Sequence, residues 1–314
     1  MFEIRQTLTK GLGAFATQDI PAGTVILREK PVMQLATFPW TEVYSTVPCM
    51  VLMRAFDALD ERQRAQVLEL CSYIQPQCKS GVERMVQHCM DRRPEHPASY
   101  ADYVRLVFIM STNEYTLTLP DESRVSALYL QLSRFNHSCI ANTVIHDVPS
   151  ADERQMGVVQ ARYDIEAGEE ITVRYIRPWT SDRASALLKT WGFNCDCPLC
   201  NTSRDSPMDH VDRLRHERVF KEIRDNDEIL FRHDYPTDEQ RLTRHQRRLG
   251  ALEYLGPSNE LLNEYAVGYK LYEKAGDEVK VDETLLSLYE VMLLICEEDD
   301  PVRVAAKDRL SQKS

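Results

Sequence analysis

The chain has 314 residues, 43% of them hydrophobic, and a formal net charge of −11 at pH 7. That length suits two domains, and that apolar fraction is enough for ordinary cores. The acidic balance excludes a dominant nucleic-acid footprint, because phosphate binding needs a basic face, and it favours a basic protein or peptide as partner.

The longest apolar run, LLSLYEVMLLIC, is broken by Glu290 and falls short of the roughly 18 residues of a membrane span. The opening MFEIRQTLTK has neither the apolar core nor the small-residue cleavage site of a secretory signal. The expectation is a monomeric intracellular protein, nuclear or cytoplasmic, that engages no membrane and no nucleic acid directly. Nine cysteines are an odd and mostly scattered set, which argues against a disulfide framework. Cys49, Cys71, Cys78, Cys89 and Cys296 stand alone in helix-like sequence and are expected to be small buried apolar residues.

Residues 1–40 begin with strands and turns. KGLGAFA places Gly11, Gly13 and Ala16 in a G-x-G-x-x-A pattern, a loose form of the dinucleotide fingerprint. The chain then runs into the turn Pro21-Ala22-Gly23 and the strand-like TVILREKPVMQL. That context lacks the helix a diphosphate needs, so the glycines read as part of a β turn. Residues 41–112 change to a helical pattern. Asp60 suits an N-cap for a helix in which Val67, Leu68 and Cys71 share a face. In ASYADYVRLVFIM, Tyr100, Tyr103, Val104, Val107 and Phe108 recur at helical spacing. Strand sequence resumes in EYTLTL, NTVIHDV, QMGVVQARYDI and EITVRYI, with PSADER as a hairpin loop and EAGEE as a turn.

From 205 to 314 the pattern is helical again. Leu261, Leu262, Tyr265, Tyr269 and Tyr272 make one apolar face, and Gly276 is a natural stop. Leu285, Leu286, Tyr289, Leu293 and Cys296 make the next face, and Asp300-Pro301 reads as an N-cap followed by proline at the first helical position.

Cys195, Cys197 and Cys200 form C-x-C-x-x-C within WGFNCDCPLC. Three thiolates so close together suit zinc, which takes four tetrahedral ligands. The best fourth ligand is Cys139 in SRFNHSCIAN, with His137 or His210 as alternatives.

Taken in order, KGLGAFA, SRFNHSC, GEEITVRY and WGFNCDCPLC resemble the SET-domain protein methyltransferases. Their spacing is most similar to the SET-and-MYND (SMYD) branch and its MYND-less fungal-type relatives. The resemblance covers residues 1–201. It implies an α+β fold of SET-domain β-sheets with a pseudoknot, in which the N-H-S-C segment threads a loop. The SET domain would be split into residues 1–40 and 113–180 around the helical insertion 41–112. A post-SET zinc module (181–204) and an all-α, tetratricopeptide-like C-terminal domain (205–314) would follow.

The implied activity is S-adenosylmethionine-dependent N-methylation of lysines on histones or other proteins. The resemblance makes Tyr175 the catalytic residue, also touching the cofactor. It assigns Lys10, Gly11, Leu12, Gly13, Asn113, Asn136, His137 and Phe193 to the cofactor, with Phe193 stacked on adenine. Tyr115 and Trp191 would line the lysine channel, and Cys139, Cys195, Cys197 and Cys200 would share one zinc. Three departures stand out. Cys49, Cys71, Cys78 and Cys89 do not have the dense spacing of a MYND finger, Ala141 replaces a common proline, and Ala127 replaces a common glycine. The alternative is a catalytically weak or inactive SET-fold protein serving as an interaction scaffold.

Overall fold

The computed structural model describes all residues except 8–9, 37–45, 94, 96, 119–122, 150–154, 204–205, 232–236, 297, 299 and 313–314. Its strands form three small sheets. The first has the order β1 (Phe2–Gln6), β2 (Leu12–Ala16), β10 (Glu170–Val173) and β7 (Asn136–His137). β1 and β2 pair antiparallel with Gln6 opposite Leu12, and Gly11 at the foot of β2 has φ +74°. The opening glycines therefore lie in a strand–turn–strand unit, as their sequence context indicates. β7 runs parallel to β10, with Asn136 opposite Thr172 and His137 opposite Val173. Ser138 N–H donates to the Val173 carbonyl at 3.0 Å, so N-H-S-C lies directly against the G-E-E strand, the contact that a threaded crossing requires.

The second sheet has the order β3 (Val25–Glu29), β9 (Gln155–Ala161), β8 (Thr143–Pro149), and the third the order β4 (Met33–Ala36), β6 (Arg124–Leu128), β5 (Tyr115–Thr118). The single β stretch expected over TVILREKPVMQL is in fact two strands in different sheets, with Pro31 between them. Proline has no N–H to continue a ladder, so the chain changes sheet there. β6 was not anticipated, although Val125–Leu128 is buried throughout and forms the middle of its sheet. β8 and β9 pair antiparallel up to Pro149 opposite Gln155. The tip of the expected PSADER hairpin lies outside the described residues.

The insertion consists of α1 (Thr46–Asp57), α2 (Glu61–Leu68), α3 (Pro76–Met90) and α4 (Tyr100–Asn113). Asp60 and Gln63 form a capping box on α2, and Ser99 and Asp102 form one on α4. Leu52, Met53, Phe56, Val86, Tyr103, Leu106 and Ile109 form its buried core, where each large apolar side chain contributes about 1.5–3 kcal/mol. Cys49 and Cys89 are buried in it as expected, but Cys71 is exposed and Cys78 and Cys296 are half-buried. Cys71 lies past the end of α2, whose C-cap is Glu69, so it does not share the face of Val67. Tyr100, expected on the apolar face of α4, is also exposed. It sits at the helix N-terminus, beyond the core.

After α5 (Arg183–Trp191) come α6 (His210–Phe231), α7 (Asp238–Leu255), α8 (Asn259–Ala275), α9 (Glu278–Ile295) and α10 (Pro301–Ser311). From α6 to α10, each helix packs on the next. Gly276 ends α8 in the left-handed conformation at φ +73°, and Asp300 caps α10 ahead of Pro301. On α8, Leu261, Tyr265 and Tyr272 are buried, whereas Leu262 and Tyr269 are half-buried flanks. The face of α9 is rotated from the one expected. Val281, Leu285, Leu288, Met292 and Ile295 are buried, while Leu286 and Leu293 are exposed. Paired leucines at 285–286 and 293–294 allow two helical phases, and the packing selects the one continuing through Leu288 and Ile295.

These helices do not form a detached arm. Phe220, Ile223, Leu252 and Met292 share one core with Cys139, Cys197, Leu199 and Trp179. Arg162 donates to the carbonyls of Ala141 (3.2 Å) and Leu255 (2.6 Å), and Tyr163 OH donates to the Leu255 carbonyl at 2.8 Å.

Candidate active site and metal centre

A cleft of about 590 Å³ opens between β2, β7, the insertion and the segment around Trp191. Lys10, Gly11, Leu12, Asn113, Asn136, His137, Tyr175, Trp191 and Phe193 all line it. A second cavity of about 290 Å³ is lined by Tyr115 and shares Thr112, Asn113, Ser133, Tyr175 and Trp191 with the first. Apart from Gly13, which lines neither, the sequence-derived cofactor and channel candidates thus converge on two adjoining spaces with Tyr175 in their common wall.

Tyr175 follows β10, where the parallel pairing with β7 brings it against His137. Its N–H donates to His137 Nδ1 at 3.0 Å, and its hydroxyl donates to the Phe135 carbonyl at 2.9 Å. Its ring lies 5.3 Å from Trp191, 5.4 Å from His137 and 6.4 Å from Phe193, centroid to centroid. Burial, with added repulsion from Cys71 and Glu170, pushes its phenol pKa well up, so at neutral pH Tyr175 is a hydrogen-bond donor. Burial does the same to Tyr115, with Tyr175, Glu29 and Tyr129 adding to it. Trp191 is fixed by its Nε1–H donating to the Thr112 carbonyl at 2.8 Å. The next residue, Gly192, turns at φ +77° so closely against Tyr73 that a Cβ would stand 2.2 Å from its ring. Only glycine can close this contact between insertion and cysteine module.

A polar network supports the glycine segment. Lys10 Nζ pairs with Glu170 Oε2 at 3.2 Å and Asp196 Oδ1 at 3.0 Å. Asn136 Nδ2 donates to Glu170 Oε1 at 2.8 Å and to the Leu12 carbonyl at 3.1 Å. Burial alone would lower the Lys10 pKa, but Glu170 and Asp196 outweigh it and raise it. Gly13 is packed tightly, since a Cβ there would lie 2.7 Å from Asn136 Nδ2 and 2.9 Å from Glu170 Oε1. Asn113 is buried, and its amide donates to the Cys71 (2.7 Å) and Ile109 (2.8 Å) carbonyls. Its NH₂ is therefore engaged in holding the cleft wall.

The sulfurs of Cys139, Cys195, Cys197 and Cys200 all lie within 4.8 Å of one another. Cys139 Sγ is 4.0 Å from Cys195 Sγ and 3.6 Å from Cys200 Sγ. Zn–S bonds of about 2.3 Å in a tetrahedron imply sulfur–sulfur edges of about 3.8 Å. This donor set and spacing fit one structural zinc. Hydrogen bonds among the crowded thiols pull Cys197 and Cys200 below the usual thiol range and push Cys139 and Cys195 up. His210 is exposed at the start of α6 and lies outside the cluster. His137 contributes differently. Its Nδ1 accepts from Tyr175, so in the neutral ring the proton sits on Nε2, 3.4 Å from Cys139 Sγ. Burial holds its pKa down at about 4, with Cys197 opposing. His137 thus joins the Tyr175 backbone to the cysteine cluster in its neutral form.

Glu170 and Asp196 were not singled out from sequence, although both lie inside the motifs that were. Cys71, Arg105 and Arg134 also line the cleft. Arg134 lies within SRFNHSC, whereas nothing in the local sequence marks Cys71 or Arg105, because the insertion reaches the cleft only through tertiary packing. Ala127 and Ala141 are fully buried. Ala127 lies opposite Tyr115 in the third sheet, and the Ala141 carbonyl accepts from Arg162.

Three small sheets, a parallel crossing of N-H-S-C against the G-E-E strand, and a four-cysteine cluster beside an aromatic cleft together define a SET domain. The SET-domain family model matches residues 11–176, just over half of the chain, and the chain belongs to that family. It is 37% identical over 89 residues to histone-lysine N-methyltransferase SET5 of Yarrowia lipolytica, which covers 28% of this chain and 20% of that protein. It is 22% identical over 228 residues to a putative SET domain-containing protein, L678, of Acanthamoeba polyphaga mimivirus, covering 67% and 82% respectively. N-lysine methyltransferase SMYD2-A of Xenopus laevis is 30% identical over 114 residues, covering 34% and 25%. The match thus spans about a fifth of the SET5 protein's length. Among the described residues, no helix is long and apolar enough to cross a membrane.

Proposed function

We propose that this chain is a protein-lysine N-methyltransferase that uses S-adenosylmethionine. The observation that carries the reading is Tyr175, whose hydroxyl is fixed on the Phe135 carbonyl in the wall shared by the two cavities. The larger cavity suits the cofactor and the smaller one, lined by Tyr115 and Trp191, suits a lysine side chain. S-adenosylmethionine bound in the larger cavity supplies an electrophilic methyl group on a sulfonium.

The protein's part is to present a neutral amine and exclude water. A free lysine has a pKa of about 10.4, and burial among aromatic rings lowers it by disfavouring the charged form. Tyr175, kept protonated by burial, orients groups by hydrogen bonding and does not act as a base. Lys10, Glu170 and Asn136 hold the Gly11–Gly13 segment against the cofactor, and Phe193 offers its ring to adenine. One zinc on Cys139, Cys195, Cys197 and Cys200 would pin this aromatic segment to the catalytic sheet. The substrate would be a lysine-rich segment of a histone or another protein, drawn by the acidic surface. The protein would act inside the cell, in nucleus or cytoplasm, where four thiols stay reduced.

The test is methyl transfer from labelled cofactor to a peptide or proteome array with mass readout, in parent and Tyr175→Phe proteins. Transfer by the parent, reduced about a hundredfold or more in the variant, is the expected result. If calorimetry finds no S-adenosylmethionine binding, the proposal fails at its first step. Partner binding indifferent to Tyr175→Phe, with no methyl transfer, would instead identify an interaction scaffold.

A further inference from the structure

A separate pocket of about 150 Å³ lies between β8 and the N-terminus of α8. Its wall includes Arg162, Arg174, Ile145, Ser258, Asn259 and Glu260. Arg162 is 2% exposed. Its two terminal nitrogens donate to the carbonyls of Ala141 and Leu255, which are neutral acceptors, and its guanidinium carbon lies 5.3 Å from the centroid of the Tyr163 ring. Arg174 directly follows β10, and its Nη1 makes a long ion pair with Glu260 Oε2 at 4.0 Å, beyond hydrogen-bond reach. The Nε of each arginine is buried and makes no hydrogen bond. Among the described residues lining the pocket, Glu260 is the one carboxylate against two guanidiniums.

This is an unusual balance. Burial, and for Arg162 the charge of Arg174, disfavour the protonated form of both groups. A guanidinium nevertheless keeps its proton in proteins, so the excess positive charge remains in place. One carboxylate between two buried guanidiniums leaves positive charge in excess, and buried charge that is incompletely paired is costly. α8 adds to the same field. Ser258 is its N-cap, with Oγ accepting from Leu261 N–H at 3.2 Å. Asn259 and Glu260 are the first two helical residues, whose N–H groups have no acceptor within the helix. Helix N-termini favour anions, and Asn259 Nδ2 fastens this end to the sheet through the Ile145 carbonyl at 3.1 Å.

We propose that this pocket binds a small oxyanion, a phosphate or carboxylate group, held by Arg162, Arg174 and the first N–H groups of α8. Size agrees, because the space takes one such group and little more. Arg174 also borders the cavity lined by Tyr115 and Tyr175, so the ion would lie beside the strand that carries Tyr175. The group can come as a free ion or on the side chain of a bound polypeptide, since the recognition chemistry is the same.

The test is titration of the full chain with inorganic phosphate and with acetate at constant ionic strength, by calorimetry and thermal shift. Saturable binding of at least one ion is expected. Arg174→Gln should weaken it roughly tenfold, as expected for a lost charge-assisted hydrogen bond. Glu260→Gln should tighten it, because it removes the competing carboxylate. That gain would not arise if the residues served packing alone, and it keeps the test decisive if Arg174→Gln fails to fold. A phosphoserine peptide that displaces phosphate, when its unphosphorylated parent does not, assigns the group to a polypeptide; failure to displace assigns it to a free ion. Absence of saturable binding by the parent protein for both ions, or equal binding by parent, Arg174→Gln and Glu260→Gln, overturns the proposal.

Discussion

Gly13→Ala is the sharpest probe of the cofactor side of the cleft. The added methyl would stand 2.7 Å from Asn136 Nδ2, 2.9 Å from Glu170 Oε1 and 2.9 Å from Thr7 Cγ2. Ordinary contact for a methyl begins near 3.4 Å, so Asn136 and Glu170 must both withdraw. Their shared 2.8 Å hydrogen bond is the contact that gives way, and Lys10 loses the position of its Glu170 partner. Overpacking of this kind costs about 1–3 kcal/mol, and a hydrogen bond to a charged group is worth about 1.5–3 kcal/mol. If about 2 kcal/mol of this is felt in binding, S-adenosylmethionine affinity falls roughly thirtyfold. Gly11→Ala is the control. A Cβ there meets no protein atom within 4 Å, so within the protein the penalty is that of φ +74°, about 1–2 kcal/mol of backbone strain borne in the turn. Calorimetric titration of both variants, with circular dichroism to confirm folding, separates the two effects. Affinity unchanged in Gly13→Ala, or lost more severely in Gly11→Ala, would refute the idea that the Asn136–Glu170 contact sets this wall.

Cys197→Ser should take zinc content from about one per chain towards zero by elemental analysis; retention of full zinc would overturn the four-cysteine ligand set. Tyr175→Phe should reduce methyl transfer by about a hundredfold or more, the scale for losing one preorganised donor, while leaving cofactor affinity within severalfold. A parallel loss of binding would make the hydroxyl a binding group. The Lys10 pKa is raised, so its contribution is complete below the ordinary lysine value and is lost only as pH rises past the raised one. Lys10→Gln should therefore weaken cofactor binding by the same factor at pH 6.5 and pH 8.5, both well below the usual lysine pKa of about 10.4. A factor that shrinks between those two pH values would assign the effect to another group.

Much of the catalytic half was legible because its chemistry is concentrated in short motifs. Three cysteines within WGFNCDCPLC called for a fourth ligand, with Cys139 the best candidate, and its sulfur lies in the cluster. Turn signals after Gly13 argued against a dinucleotide loop, and β2 is indeed a strand. Packing phase was less legible. α9 offers two apolar faces, and only contact with its neighbours decides between them. The insertion gave no local sign that Thr112 and Cys71 would form a wall of the cleft, since their role depends on how the insertion docks. Glu170 was hidden for a different reason, because its partners Lys10 and Asn136 are 160 and 34 residues away.

The β2–β10 pairing also has a consequence in time. β2 ends at Ala16 and its neighbour β10 begins at Glu170, so a chain emerging from the ribosome holds the glycine segment long before its partner strand exists. Such distant pairings are slow to form. A nascent chain that stops before Trp191 has every strand of the three sheets but lacks the aromatic residues that close the cleft and the thiols that anchor them. Under the proposed function, cofactor binding would be reserved for chains made at least through Cys200, and vectorial synthesis itself would keep a half-made chain from holding its ligand.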